Sequence, residues 1–264
     1  MTNSSLGFAM VTGASSGIGA LYAERLATRG YDLILVARRH DRLVDLAEKI
    51  RATSGRSVEV ISADLANKDD LKRVEAVLRS DQRVTMLVNN AGIAAVTPLL
   101  QSDVDQMSSI ISLNSDALMR LTYAVVPGFV ERAHGTIINI ASVVAIAPEA
   151  LNGVYGASKA FVYAFSQSLK HELQDKGIGI QVVLPGATAT DLWENSGLPV
   201  ESLPPDMVMR ADAMVDASLI GFDQGEFATI PALEDASELA AYEDARKVLA
   251  PKLSRAKPAT RYAT

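Results

Sequence analysis

The sequence of 264 residues contains no cysteine. Disulfide bonds and thiolate metal sites are therefore excluded, and we expect no metal ion at the functional site. A chain without cysteine also fits a reducing compartment. Histidine is scarce as well: it occurs as His40, His134 and His171, and none of the three has a local sequence signature of a catalytic triad.

Long apolar runs and an excess of positive charge are also lacking. No apolar run approaches the roughly 20 residues that a membrane-spanning helix needs. The first five residues carry no basic side chain, so we expect no signal peptide. A net charge of −6, from 25 basic and 31 acidic residues, argues against a nucleic-acid surface. These absences predict a cytoplasmic protein without a membrane or nucleic-acid partner.

Short apolar segments alternate with longer segments of helical periodicity along most of the chain. The predicted strands cover residues 8–12, 32–37, 58–61, 84–88, 136–140, 180–184 and 228–230; the predicted helices cover residues 18–29, 42–53, 68–78, 104–130 and 154–174, with another helix between residues 204 and 221. The strands are continuously apolar, as in sheets that helices cover on both faces. The alternation predicts an α/β fold with a doubly wound parallel sheet of about seven strands.

We expect one domain over residues 1–250 and a tail over residues 251–264. The tail is basic, without an acidic residue, and contains Pro258. It is interpreted as a frayed terminus or as a segment that folds over the active site or a neighbouring subunit.

A glycine-rich turn over residues 12–19 follows the first predicted strand. Glycines let the backbone turn sharply and approach a pyrophosphate, whose charge is met by N–H groups at the start of the next helix. The strand–turn–helix setting favours a dinucleotide site over a glycine loop without a ligand. The candidate cofactor-binding residues of the turn are Gly13, Ser15, Ser16, Gly17, Ile18 and Gly19.

The same turn has a competing interpretation. Residues 13–17 also fit G-x-S-x-G, the nucleophile elbow of serine hydrolases, with Ser15 as the nucleophile. The missing triad signature among the histidines argues against it.

The end of the second predicted strand suggests which dinucleotide binds. An acidic residue there suits the ribose of NAD, whereas a basic residue suits the 2′-phosphate of NADP. The strand ends at Arg38 and Arg39, and the next acid is Asp41. The pattern favours NADP(H), with NAD(H) possible, over two merely solvated arginines. Asp64 and Leu65, after the third strand, are candidate adenine contacts; Asp64 is alternatively a helix cap.

Tyr155 and Lys159 lie four residues apart in a predicted helix, so their side chains share one face. A cation beside a phenol favours the phenolate and lowers the tyrosine pKa toward the range of an acid/base catalyst. Taken alone, the pair also fits a solvent-facing surface.

Four motifs together resemble the short-chain dehydrogenase/reductase family in its single-domain form, with a Rossmann-type sheet. They are T-G-x-x-x-G-x-G at residues 12–19, N-N-A-G at residues 89–92, Ser142 with Tyr155 and Lys159, and Pro185-Gly186. The third motif places Ser142 13 residues before the tyrosine, and the fourth follows the sixth predicted strand.

The resemblance implies an oxidoreductase that moves a hydride between NADP(H) and a carbonyl or secondary alcohol. Tyr155 would be the general acid/base, Lys159 would hold the nicotinamide ribose and favour tyrosinate, Ser142 would bind the substrate oxygen, and Asn114 would support a proton relay. Further cofactor contacts implied are Asn90, Ala91, Gly92, Pro185, Gly186, Thr188 and Thr190. Thr188 departs from the valine that is common in the family.

The substrate and partners are less defined by the sequence. Residues 192–209, within a predicted substrate loop of about 190–210, contain many apolar residues and no basic residue. They favour an apolar ketone, aldehyde or alcohol, although the segment could pack on its own domain. Ala145, Ile146, Ala147 and Leu151 are expected in the same pocket. The resemblance implies a homodimer or homotetramer through helices 104–130 and 154–174. A non-catalytic NADP-binding sensor or interaction protein is the alternative.

Overall fold

The computed structural model describes residues 5–193, 196 and 198–262. It divides into two compact units, Met1–Pro231 and Ala232–Thr264. The strands of the first unit are β1 (Phe8–Thr12), β2 (Asp32–Ala37), β3 (Val58–Ser62), β4 (Val84–Asn89), β5 (Gly135–Ile140), β6 (Ile178–Val183), β7 (Thr188–Ala189), β8 (Met209–Arg210) and β9 (Ala228–Thr229). Its helices are α1 (Gly17–Thr28), α2 (His40–Ser54), α3 (Lys68–Ser80), α4 (Val104–Ile111), α5 (Leu118–Glu131), α6 (Gly153–Leu173) and α7 (Ala211–Asp223).

The main sheet has seven parallel strands in the order β3-β2-β1-β4-β5-β6-β9. Successive residues of a strand point to opposite faces: Ala9 and Val11 pack with α1, α2 and α7, whereas Phe8 and Met10 pack with α3, α5 and α6. Burial on both faces explains the continuously apolar strands. The predicted doubly wound α/β sheet is confirmed.

The strand order reverses direction between β1 and β4. The chain first builds outward from β1 to β3 and then restarts at β4 on the other side of β1. At such a switch point the connections diverge to opposite faces and leave a crevice at the carboxyl ends of the strands, where ligands of open α/β sheets bind.

The predicted helix over residues 104–130 is interrupted. It consists of α4 and α5, joined by a π-helical segment, Ser112–Ala117. A π-bulge inserts an extra residue into a continuing helix, so the apolar periodicity on either side still indicated one element. The predicted sixth strand begins earlier than expected, at Ile178, and β7 pairs with β8 as a separate two-stranded sheet.

The second unit contains α8 (Ala236–Leu249), which the sequence analysis did not identify. Its signals were present: Asp235 accepts a hydrogen bond from the Ser237 N–H at the helix start, and alanine, glutamate and leucine favour helices. None of its residues is buried. The predicted boundary between a domain and a tail at residue 250 stays a prediction.

Across residues 5–193, 196 and 198–262, no helix is both long enough and apolar enough to cross a bilayer. The cytoplasmic location stays a prediction.

Candidate active site

The sheet brings the sequence-predicted site residues to one edge. The glycine turn follows β1, Arg38 and Arg39 follow β2, Asp64 and Leu65 follow β3, residues 90–92 follow β4, Ser142 follows β5, and residues 185–190 follow β6. Tyr155 and Lys159 lie in the first two turns of α6. This edge includes the switch point between β1 and β4.

The glycine turn is closely packed and has the geometry of a phosphate cradle. Gly13 and Gly17 have φ angles of 67° and 54°, in the left-handed region that glycine favours. A Cβ atom on Gly19 would lie 2.4 Å from the Gly13 carbonyl oxygen, so the turn has no room for one. No side chain caps the start of α1. Its first N–H groups are therefore available to an anion, which fits the pyrophosphate of a dinucleotide.

One arginine of the predicted pair is tied to this turn. Arg39 donates from Nη2 to Ser15 Oγ and Ser16 Oγ, at 3.1 and 2.7 Å, and from Nε to Ser15 Oγ at 3.2 Å. Arg38 contributes its carbonyl, which accepts from Ser62 Oγ at 3.2 Å. A guanidinium beside two hydroxyls is a suitable group of donors for a phosphate.

Asp64 is not the cap of α3, so that alternative is wrong. Asn67 caps the helix by accepting from the Asp69 and Asp70 N–H groups. Asp64 instead accepts from the Ala66 N–H at 3.0 Å, in the turn before the cap. Leu65 is buried in the core. The adenine contact of these two residues stays a prediction.

Tyr155, Lys159 and Ser142 are all buried, so the Tyr155–Lys159 pair does not face solvent. Lys159 Nζ lies 5.9 Å from the centroid of the Tyr155 ring and donates to the Ile140 carbonyl at 3.0 Å. Ser142 Oγ donates to the Pro185 carbonyl at 3.3 Å and also hydrogen-bonds Tyr155. The three side chains therefore converge beyond the ends of β5 and β6.

The expected lowering of the Tyr155 pKa by Lys159 is wrong for the chain by itself. Burial raises the pKa of Tyr155 to about 12, and the hydrogen bond with Ser142 opposes that rise. Burial also lowers the pKa of Lys159 to about 8. The physical reason is desolvation, which penalises both charged forms. Spacing along a helix indicates that the two groups are neighbours but not how deeply they are buried.

Asn114 lies in the π-helical segment, and its side chain fixes the loop after β4. Its Oδ1 accepts from the Ile93 N–H at 2.9 Å, and its Nδ2 donates to the Ile93 carbonyl at 2.9 Å and to Ser158 Oγ at 3.1 Å. These bonds use both amide hydrogens. A Cβ atom on Gly92 would lie 3.1 Å from Asn114 Oδ1 and 3.6 Å from Lys159 Nζ, so this loop reaches the candidate catalytic group.

Within the part of the chain that the structure describes, no three histidine, aspartate or glutamate residues gather as metal ligands.

The model of the short chain dehydrogenase family matches residues 7–199. The chain belongs to the short-chain dehydrogenase/reductase family. It is accordingly an NAD(P)-dependent oxidoreductase that acts on alcohol or carbonyl groups.

Solved members of the family superpose on nearly the whole chain. A short-chain dehydrogenase from Sphingobium yanoikuyae, in complex with NADPH, is 47% identical, with a TM-score of 0.94, 97% of this chain covered and 100% of that one. The bulky-bulky ketone specific alcohol dehydrogenase from Comamonas testosteroni is 41% identical, with a TM-score of 0.91 and coverage of 99% and 100%.

A very-long-chain 3-oxoacyl-CoA reductase from Anas platyrhynchos is 36% identical over 209 residues, which are 77% of this chain and 67% of the reductase. The chain spans 60% to 67% of the length of the curated 3-oxoacyl-CoA reductases that it matches.

Sequence reasoning missed Asn152, which caps the helix that carries Tyr155 and Lys159. An asparagine just before a helical segment was the available signal. It also missed Ala95 and Val144, which pack with Tyr155. Of the expected pocket residues, Leu151 belongs to this apolar cluster, whereas Ala145 and Ile146 pack in a neighbouring one.

The predicted substrate loop is structured at both ends. Trp193 Nε1 donates to the Thr188 carbonyl at 2.8 Å near its start, and β8 ends it. Two short 3₁₀ turns, Val200–Ser202 and Pro205–Met207, lie between. Residues 194, 195 and 197 of the loop lie outside the described residues.

The buried ammonium leads to a prediction about stability. Below pH 8 Lys159 is charged in both the folded and the unfolded chain, and the full cost of its burial remains. Between about pH 8 and its ordinary pKa of 10.5, the unfolded chain binds more protons, so the stability contributed by this group rises with pH. Lys159→Met should therefore be more stable than the wild type at pH 7, by up to about 3 kcal/mol, because one pKa unit corresponds to about 1.4 kcal/mol.

The measurement is guanidinium unfolding of both proteins at pH 7 and at pH 10.5, where the difference should have closed. Lys49→Met, which removes an exposed ammonium, should show no such change with pH. An equal difference at both pH values would contradict the buried-charge interpretation.

Proposed function

We propose that the protein reduces apolar ketones with NADPH and oxidises the corresponding secondary alcohols with NADP⁺. The observation that carries the proposal is the buried group of Ser142, Tyr155 and Lys159 at the carboxyl ends of the strands. The apolar cluster of Val144, Leu151 and their neighbours borders Tyr155 and gives an uncharged substrate a dry environment.

The protein's part in the reaction is to orient the reactants and to manage one proton. A bound nicotinamide cofactor would supply the hydride that the carbonyl carbon receives. Negative charge then grows on the carbonyl oxygen, where the Ser142 hydroxyl donates a hydrogen bond and the Tyr155 hydroxyl donates the proton. Burial raises the pKa of Tyr155 to about 12, so the phenol is protonated at neutral pH and has a proton to donate.

In this proposal Lys159 binds the nicotinamide ribose of the cofactor. An ammonium has three hydrogen-bond donors, and the Ile140 carbonyl accepts one of them. The others suit the hydroxyls of the nicotinamide ribose. With a pKa of about 8, the side chain is mostly charged at neutral pH. Asn114 supports the proton relay indirectly, by holding Ile93 and Ser158 in place.

The proposed substrate is a ketone with bulky apolar substituents on both sides of the carbonyl. The Comamonas testosteroni relative bears the description of a dehydrogenase specific for such ketones. Residues 192–209 contain no basic side chain that would attract an anionic substrate. The cluster around Tyr155 is apolar and includes Ala94 and Ala95, which suits the uncharged substituents of such a ketone.

The two alternatives have less support. A serine hydrolase would need a base at Ser15, but Ser15 Oγ accepts hydrogen bonds from the Arg39 guanidinium, which cannot take its proton. A non-catalytic NADP sensor would not require Ser142, Tyr155 and Lys159 together in a buried site.

Tyr155→Phe tests the enzymatic function. Loss of the proton donor should lower kcat for ketone reduction by at least about 100-fold, while NADPH still binds with the affinity of the wild type. Tyr163→Phe, a buried tyrosine of the same helix, is the matched control and should retain activity. The rate of ketone reduction is measured in a spectrophotometer as the rate at which NADPH is consumed. If Tyr155→Phe were as active as the wild type, the assigned proton donor would be wrong; a cellular role that survived this change would favour the sensor.

Arg38→Ala and Arg39→Ala test the NADPH preference. Loss of a charge-assisted hydrogen bond to the 2′-phosphate should weaken NADPH binding by about 10-fold to 100-fold and leave NADH binding nearly unchanged. Arg39 should have the larger effect because it already contacts Ser15 and Ser16. Fluorescence titration with both cofactors measures the two affinities. Lys49→Ala, which removes an exposed charge from α2, is the control; equal losses for NADPH and NADH would contradict phosphate recognition.

The proposed oligomer is a homodimer or homotetramer through α5 and α6. Tyr123 and Phe161, exposed by 69% and 38%, both stack on Phe165, with ring centroids 6.3 and 5.7 Å apart. Exposed aromatic residues of this kind are typical of interfaces. Light scattering of the wild type should give the mass of at least two chains, and Phe161→Glu should lower that mass. Leu6→Glu, a change at another exposed apolar residue, should not lower it; a wild-type monomer would refute the proposal.

A further inference from the structure

Asn152 makes four hydrogen bonds with one buried side chain. Its Oδ1 accepts from the N–H groups of Val154 and Tyr155 at 2.9 and 3.3 Å, which caps α6. Its Nδ2 donates to the Thr97 carbonyl at 2.6 Å and to Ser102 Oγ at 3.1 Å. A cap needs only an acceptor, so serine or aspartate would serve as well. The two hydrogen bonds that Nδ2 donates are therefore not needed for capping α6.

These donated bonds reach residues 93–102, which we call the strap. The strap begins at Ile93, whose N–H and carbonyl both bond Asn114. Its middle is held at Thr97 by Asn152. Asparagine side chains thus fix the strap at three residues, Ile93, Thr97 and Ser102, and both asparagines are buried.

The strap also contacts the substrate loop. The Val96 N–H donates to the Ser196 carbonyl at 3.2 Å, and Ser196 is itself buried. Ser196 Oγ donates to the Trp193 carbonyl at 2.9 Å. Ser196 in the substrate loop is therefore connected to Tyr155 in three steps. Its carbonyl bonds Val96, the next strap residue Thr97 bonds Asn152, and Asn152 bonds the N–H of Tyr155.

We propose that Asn152 is a positioning residue that sets the substrate loop, through the strap, relative to Tyr155. The proposal rests on the proposed ketone reductase function. A substrate with two bulky groups contacts more of the surrounding loop than a small ketone does, so it depends more on the strap being in place. The phosphate-binding part of the cofactor site, the glycine turn with Arg39, lies at β1 and β2, so NADPH affinity should depend little on the strap.

The test variant is Asn152→Ser, which keeps a capping oxygen but is too short and has too few donors to reach the strap. Steady-state reduction of benzophenone and of 2-butanone by NADPH is compared with the wild type. We expect KM for benzophenone to rise by about 10-fold, the effect of losing two ordinary hydrogen bonds, with kcat, KM for 2-butanone and NADPH affinity close to wild type. Ser102→Ala should shift KM for benzophenone in the same direction by less, because Thr97 stays bound.

Two further comparisons separate positioning from loss of stability. Asn67 caps α3 in the same way, far along the chain from α6. Asn67→Ala removes that cap, so it should cost stability without changing the ratio of the two KM values. Hydrogen exchange of the peptide covering residues 93–102 should become faster in Asn152→Ser and remain unchanged in Asn67→Ala.

A proportional loss of kcat for both ketones with unchanged KM values, or unchanged exchange in the strap, would overturn the proposal. If the wild type reduced neither ketone, the proposed function would fail, and the exchange measurement alone would still decide whether Asn152 holds the strap.

Discussion

The burial of Lys159 is the constraint on which the site depends. A buried ammonium is costly unless polar groups surround it, and this one donates to the carbonyl at the end of β5. That bond requires α6 to cross the carboxyl ends of the strands with its first turns beside Ser142. The same packing buries Tyr155 and keeps its phenol protonated. The result is a buried site that holds a cation and a protonated phenol close together.

Buried asparagines organise the rest of this edge. Asn89 of β4 donates to Asn139 of β5 at 3.0 Å, and Asn139 donates to Ser166 of α6 at 2.9 Å. Asn114 and Asn152 then fix the strap that follows β4. An amide can donate and accept at once, so a single side chain satisfies two backbone segments that are not otherwise paired. In this way polar groups inside an apolar fold fix irregular backbone near Tyr155.

The strands and the residues of the site could be predicted from the sequence, whereas some details of the site's geometry and charge could not, for physical reasons. Continuously apolar segments identify buried parallel strands, and four motifs identify residues that meet at their ends. The π-helical segment around Asn114 was not predictable, because the apolar period on both sides is that of an ordinary helix. The pKa direction of Tyr155 was missed because neighbouring positions on a helix do not reveal desolvation. Arg38 and Arg39 could not be separated either, since only the structure shows which guanidinium reaches Ser15 and Ser16.

The substrate loop is tied to both halves of the site. On the cofactor side, Asp191 pairs with Arg42 of α2 at 3.4 Å, and Thr190 lies against Gly17, where an added Cβ atom would be 3.3 Å from its methyl group. On the catalytic side, Ser196 is connected to Asn152 through the strap. The Arg42–Asp191 pair is half exposed and contributes little stability by itself, whereas the hydrogen bonds from Asn152 to the strap are part-buried and come from a buried side chain. The position of the substrate loop relative to Tyr155 is therefore determined mainly by its connection to Asn152 through the strap.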